Sequence, residues 1–444
     1  MKTLALLFAL VTGLGTLDSF SQWQNLGSGL DNDGRVFCYD SVNSQLYVGG
    51  NFHHAGGKVA NGIARWDGIN WDTLGIGAPY GAPVYSLVEY QNKIYASSIF
   101  QQATSGFENW FSWWNGQFWE WDTLNERVNA AVDGYKENNG SLFMGGIFTR
   151  IGNQNLNSLT EWDGSTFTGY PLPVSNGDDI LAIEFFQGDM YVGGNFYDTI
   201  TGVNDLERWD GTSFQPFGGN GLSFGFDFVL CMQVYQNELY IGGWFTTAAG
   251  DPADFIMRWD GTNFHSVGNG VDGVVRRMRV YNGELYVCGL FDFAGGIPVS
   301  SIAKWDGNQW SSVCSNFATN GLGDFMIINN DLYITGNFNM IDGIAMHSVA
   351  KYSNINRINE AGINIQLNIS PNPCLDKISI SAADYVNSKF TICNSTGVIL
   401  KHGNLSDKKT ELDIEDLAAG IYVLNVISPK GSSVKKFAKI TPVN

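Results

Sequence analysis

Arg276, Arg277 and Arg279 form the densest basic group in an acidic chain, and the chemistry such a group offers is anion recognition. A guanidinium presents its N–H donors as a rigid planar fork that matches two oxygens of a carboxylate or sulfate. Asp272 and Glu284 are close in sequence, so ion pairing with them is the competing use of the same charge. A second candidate is aromatic. Trp110, Trp113 and Trp121 lie in and just beyond the run Trp110-Phe111-Ser112-Trp113-Trp114, where flat rings can hold a sugar or a partner protein, or else pack between neighbouring elements. Two further groups touch on metal chemistry. His53-His54 could supply ligands, but no third is identifiable. Asp31-Asn32-Asp33-Gly34 begins like a calcium loop and lacks the later bidentate glutamate. With the five histidines scattered and no C-x-x-C pair, no metal or other cofactor is expected. The chain has no nucleophile elbow, phosphate-binding loop or H-E-x-x-H run. Binding is therefore the leading expectation. The alternative is a polysaccharide-acting enzyme whose site is assembled from several loops at one mouth of a channel.

A repeat positions these residues. Leu46-Tyr47-Val48-Gly49-Gly50-Asn51-Phe52 is followed by Ile63-Ala64-Arg65-Trp66-Asp67-Gly68 and then Trp71-Asp72-Thr73-Leu74-Gly75. Counterparts of the first run begin at Ile94, Leu142, Met190, Leu239, Leu285 and Leu332, at intervals of 48, 48, 48, 49, 46 and 47 residues (94−46 through 332−285). A steady period of this size marks a solenoid, propeller or array. Each unit reads as four strands; in the fifth these are Val229 to Tyr235, Leu239 to Phe245, Phe255 to Trp259 and Phe264 to Val267. Asp-Gly pairs at Asp67, Asp163, Asp210, Asp260 and Asp306 supply hairpin turns, which accounts for those aspartates without catalysis. Trp66, Trp114, Trp162, Trp209, Trp259 and Trp305 are each followed five positions later by another aromatic, as a ladder of cross-strand pairs requires.

The seventh unit lacks its last strand, and the segment Trp23-Gln24-Asn25-Leu26-Gly27 matches the missing piece. A ring needs its first strand to finish its last unit, whereas a solenoid does not. The expected fold is all-β: a seven-bladed β-propeller over 22–354, closed by the N-terminal strand, then a linker at 355–366 and a small Ig-like β-sandwich over 367–444.

Composition narrows the partners. The 444 residues carry 25 basic and 43 acidic side chains, a net charge of −18. Nine lysines against seven acids make the C-terminal module about +2 (9−7), so the rest carries about −20 (16−36). Such a surface repels phosphate backbones and argues against nucleic acid. Residues 1–21 read as a secretory signal peptide, with Lys2, an apolar stretch from Leu4 to Val11 and Ser19-Phe20-Ser21 before the cut. That stretch is far shorter than the roughly 18 residues a bilayer needs, and no other segment qualifies. Six cysteines are too few for a disulfide framework: Cys38 and Cys231 read as small buried hydrophobes, while pairing of Cys374 with Cys393 stays open.

Two resemblances follow from these motifs. The double glycine ending the second strand, then an aromatic-Asp and an aromatic-x-x-Leu, resemble Kelch-type propeller repeats over most of the array, with a shorter Trp-Asp-Gly-x-x-aromatic turn, and such arrays look like those of secreted Bacteroidota proteins. The tail has Pro371-Asn372-Pro373, Asn394-Ser395-Thr396-Gly397, Leu417 followed by Gly420-Ile421-Tyr422, and a final lysine-rich strand. In that order they closely resemble the type A C-terminal sorting domain of the type IX secretion system. The resemblance implies recognition by the outer-membrane translocon, passage through the periplasm, and release into the medium or attachment at the cell surface.

Overall fold

The Asp-Gly turns fix the local geometry. Asp67 Oδ1 accepts from the backbone N–H groups of Ile69 and Asn70 at 2.7 and 2.6 Å, and Asn115 plays the same part in the second unit. Gly68 follows at a φ of 100°, a conformation glycine adopts without steric cost. Each turn sets the aromatic pair in register, Trp66 opposite Trp71 and Trp305 opposite Trp310, with ring centroids 5.2 and 5.3 Å apart. A pair of this kind adds about 0.5–1.5 kcal/mol beyond its burial.

The structure, a computed structural model, describes residues 23–441 apart from short stretches, the longest being 102–107, 121–126, 218–226, 315–320, 354–367, 382–387 and 394–398. The signal-peptide segment, the linker, Trp121 and the Asn394 turn lie outside the described residues. The chain divides into two compact units, Met1–Asn354 and Ile355–Asn444.

The first unit is all-β. Seven four-stranded antiparallel sheets are described in it, and their first strands are Gly34–Asp40, Ser86–Tyr90, Val132–Asn138, Asp179–Phe186, Phe228–Tyr235, Val274–Tyr281 and Leu322–Ile328. The seventh sheet takes its outer strand from the other end of the chain: Trp23–Asn25 pairs with Val349–Tyr352, Trp23 opposite Tyr352. Each first strand touches the first strand of the next sheet, and Leu322–Ile328 touches Gly34–Asp40. Apolar clusters fill the gaps between sheets; one joins Leu26, Phe37 and Val48 to Val349, and so spans the seventh and first. Strand ends differ from the expected ones by about a residue, as in Glu238–Trp244 for the fifth sheet. Five short hairpins, among them His54–Ala55 with Lys58–Val59, occupy loops expected to be irregular.

The double glycines have a packing cause. A Cβ on Gly194, Gly243 or Gly289 would stand 1.9, 1.9 or 2.0 Å from the carbonyl oxygen of Asp179, Phe228 or Val274 on the paired first strand. At that place the first strand carries an extra residue. The register shifts between Gly34 and Val36, Val132 and Gly134, Ile180 and Ala182, Val229 and Cys231, Val275 and Arg277, and Leu322 and Asp324. In the second sheet serines stand where the glycines would be, and Ser86–Tyr90 pairs with no shift.

The second unit has a three-stranded and a four-stranded antiparallel sheet. Ile378 and Ile380 of the first share one apolar cluster with Phe390, Ile392, Tyr422, Leu424 and Phe437 of the second. Cys374 is a buried free thiol that donates to the Ala438 carbonyl oxygen at 3.2 Å, and the Cys393 side chain lies outside the described part of the structure.

Candidate functional site

The six bulged residues are Arg35, Asp133, Leu181, Leu230, Arg276 and Gly323. A bulge leaves its residue outside the ladder and re-aims its side chain. Together with Tyr85, which precedes the unbulged strand of the second sheet, they line one cavity of about 430 Å³. All seven repeats thus contribute the equivalent position to one mouth. A second cavity of about 320 Å³ shares Asp133, Leu181, Leu230 and Arg277 and continues between the first strands to Arg279 and Asp324.

The charges around the mouth are unevenly matched. Arg35 pairs with Asp33 at 3.1 Å. Arg276 and Arg277 have no carboxylate partner among the described residues; Arg277 Nη1 donates to the Arg276 carbonyl oxygen at 2.9 Å. Burial lowers the Arg276 pKa, and the neighbouring charges of Arg277 and Arg35 push the same way. Burial raises Asp133 above the usual carboxylate range, although Arg277 pulls it down. Asp179 is raised by burial and by the charge of Asp133, and its Oδ1 has no hydrogen-bond partner. The mouth therefore combines two available guanidinium groups with a carboxylate that ionises reluctantly.

Arg279 is placed differently from its neighbours. It pairs with Asp324, whose side chain is 0% exposed, rather than with Asp272 or Glu284. Asp272 caps the hairpin beside it by accepting from the Asp292 and Phe293 N–H groups, and Glu284 pairs with Lys304. Trp110 is half-buried, and its ring lies 6.3 Å from that of Tyr85, at the edge of the mouth. Trp113 packs against the cluster between the second and third sheets, with Lys93 Nζ 3.7 Å over its ring. The two tryptophans are thus not brought together with the arginines.

The metal candidates have structural explanations. Asp31 Oδ1 accepts from the N–H groups of His53 and His54 at 2.8 and 2.9 Å, while His54 Nδ1 lies 2.7 Å from Asp31 Oδ2. Burial pushes the Asp31 pKa up, but these contacts outweigh it and hold the group below its ordinary value. Asn129 and Asp272 cap the corresponding hairpins of the third and sixth sheets in the same way. No cluster of three His, Cys, Asp or Glu side chains suited to a metal occurs among the described residues.

Leu181, Leu230, Tyr85, Asp133 and Arg35 were not singled out from sequence. One signal could have found most of the ring, because the bulged residue stands 13 positions before the second glycine in five units (146−133, 194−181, 243−230, 289−276 and 336−323).

Residues 368–440 match the family described as the secretion system C-terminal sorting domain. The tail is thus a type IX sorting signal of the Bacteroidota kind, and it implies export to the cell surface or the medium. No curated protein matches the chain. Among solved structures, the type IX surface component PorZ of Porphyromonas gingivalis is 15% identical with a TM-score of 0.47; the match covers 92% of this chain and 60% of that one. The extracellular domain of the putative hybrid two-component system BT4673 from B. thetaiotaomicron is 11% identical with a TM-score of 0.43, covering 93% and 57%. This chain spans less than two thirds of either. No helix among the described residues is long and apolar enough to cross a membrane.

Proposed function

We propose that the chain is an exported, non-enzymatic binding protein: a Kelch-like seven-bladed β-propeller closed by its N-terminal strand, with an Ig-like sorting sandwich behind it. It holds a glycan or protein ligand at one mouth of the central channel. The observation that carries this reading is the convergence of seven residues of five types, one per repeat, on a single cavity. Structural repeat positions keep the same residue type from unit to unit, as the aromatic ladder does. This position varies between arginine, tyrosine, aspartate, leucine and glycine, as expected where side chains face a ligand rather than a neighbouring sheet. A volume of about 430 Å³ falls in the range of small-ligand sites, about 300–1,000 Å³.

The test is capture by the mature protein on glycan arrays and in pull-downs, beside Leu230→Trp, which fills the mouth. Ligand retained by the wild type and lost by that variant, with an unchanged thermal midpoint, supports the reading. Equal retention by both, or no retention by either, defeats it. The second reading, hydrolysis of a polysaccharide, is favoured by one feature: both Asp133, which lines the mouth, and Asp179 are held above the usual carboxylate range, mainly by burial, and the charge of Asp133 adds to the rise at Asp179. Paired carboxylates of that kind serve glycoside hydrolysis. Release of reducing ends by wild type and not by Asp133→Asn would establish it.

A further inference from the structure

The order of side chains around the mouth has a polarity. Following the contacts between first strands, Arg276 of the sixth sheet is succeeded by Gly323 of the seventh and Arg35 of the first. Gly323 lies between two cations and has no side chain to fill the space; a Cβ there would already stand 2.9 Å from the Gly34 carbonyl oxygen. Arg277, next to Arg276, lines both cavities. Leu181 and Leu230, from the fourth and fifth sheets, form an apolar wall, and Tyr85 and Asp133 separate that wall from Arg35. The apolar side extends outward. Trp244, 54% exposed, pairs in register with Phe228, two residues before Leu230. Leu290 is 37% exposed and packs on Gly321, which lines the mouth.

This arrangement is complementary to an amphipathic anion. A planar guanidinium binds carboxylate or sulfate through paired N–H donors, and it binds best where no internal carboxylate competes. Arg276 and Arg277 come nearest to that condition, since neither forms an ion pair among the described residues and Asp133 acts on Arg277 only through its charge, whereas Arg279 is committed to Asp324 and Arg35 to Asp33. The remaining groups suit a sugar ring: Asp133 can accept from hydroxyls, and the exposed indole of Trp244 offers a flat face to ring C–H groups. The cavity admits a chain end or a single pendant unit and no folded partner.

We propose that the mouth recognises an acidic sugar, a glycan unit carrying a carboxylate or sulfate, with the anionic group on Arg276 and Arg277 and the ring beside Leu230 and Trp244. This deepens, and rests on, the reading of the mouth as a binding site. The experiment is calorimetric titration of the mature protein with tetragalacturonate against neutral galactotetraose, a sulfated against an unsulfated disaccharide, and one peptide with a free or amidated C-terminus. An acidic sugar should bind at least about tenfold more tightly than its neutral parent. Arg276→Gln/Arg277→Gln should remove about tenfold to a hundredfold of that affinity and change neutral binding far less, so that the acid preference collapses, as loss of charge-assisted hydrogen bonds predicts. Leu230→Glu, which adds a negative charge without touching the arginines, should weaken the acidic probe more than the neutral one and so shrink the acid preference. The carboxylate and sulfate arms tell which anion is preferred, and either supports the proposal. Equal affinity for acidic and neutral sugars overturns it and leaves the binding reading standing. So does an acid preference that survives both variants, or a preference for the free peptide C-terminus. Absence of binding to every probe, together with blank arrays and pull-downs, overturns both.

Discussion

Asp324→Ala should destabilise the first unit by about 3–5 kcal/mol, and Asp324→Asn by less. The side chain is fully buried and holds three sheets at once. From the seventh sheet it takes both Arg279 nitrogens of the sixth, with Nη2 at 3.2 Å from Oδ2, and the same Oδ2 accepts from the Phe37 N–H of the first at 2.8 Å. Alanine strands a guanidinium whose side chain is only 29% exposed and leaves a buried N–H without its acceptor. These costs overlap, so the total stays near that of breaking a buried ion pair. Asparagine keeps an acceptor for Phe37 but loses the charge and the second oxygen, which accepts from Arg279 Nη1 and the Phe325 N–H. Arg279→Met/Asp324→Leu removes both ions together and should recover most of the loss, because desolvating a buried pair costs nearly what its attraction returns. Urea unfolding followed by tryptophan fluorescence gives each midpoint and slope. If Asp324→Ala lies within about 0.5 kcal/mol of wild type, the joint carries no strain-free load between the first and last sheets, and the physical case for closure there fails.

Other outcomes follow from single features. Deleting the chain from Ile369 onward should leave the protein in the periplasm, as fractionation and blotting would show; the truncated form in the medium would count against the sorting role. Removing Trp23–Asn25 exposes the edge of Val349–Tyr352 and takes away an aromatic contact of 4.9 Å, so the variant should lose thermal stability and self-associate in sedimentation runs. Burial pushes Asp205 up to about 7, with Asp227 and Asp178 repelling in the same direction and the Phe196 N–H opposing. Its folded pKa lies above the unfolded value, so the charge costs stability progressively as pH rises from about 4 through 7. Asp205→Asn keeps the acceptor for Phe196 N–H, and should raise stability by up to about 4 kcal/mol near pH 8 and by nothing below about pH 4, read from melting midpoints against pH. Asp133→Asn should strengthen binding of an anionic ligand at neutral pH, measured by the same titrations, since it removes a negative charge facing Arg277.

The sheets were legible because their signals are local and repeated. An Asp-Gly turn constrains its own backbone, and a tryptophan five residues before an aromatic states its register in one hairpin. The pairing of Trp23 with Tyr352 spans 329 positions (352−23) and was still readable, since an unfinished repeat at one end matched a spare strand at the other. The mouth was far less legible. Arg276 and Arg277 stood out as charge, but Leu181 and Leu230 look like any strand leucine, and only the register shift reveals that they leave the ladder. Trp110 and Trp113 attracted notice as surplus aromatics; sequence carries no information on which sheet would cover them, and Trp113 is covered. Asp31 and His54 looked like ligands because the chemistry that binds cations also caps hairpins.

The bulge explains how a repeated frame acquires an unrepeated site. A position that pairs in the ladder and packs on a neighbouring sheet, such as Phe37, Leu87, Ile183, Met232, Met278 and Phe325 in their units, stays apolar, held by register and volume. The bulged residue does neither, because the second glycine opposite makes room for the backbone to swing out and leaves the side chain without a structural duty. The residue type there differs between units, with arginine in two, leucine in two, and tyrosine, aspartate and glycine in one each. The same device brings the variable residues to one cavity, where, on the proposed reading, each would face one ligand. Variety at those positions, set opposite a glycine in six units and Ser98 in the second, is what the proposed recognition needs; the hydrolytic reading needs, in addition, two carboxylates held in a fixed geometry.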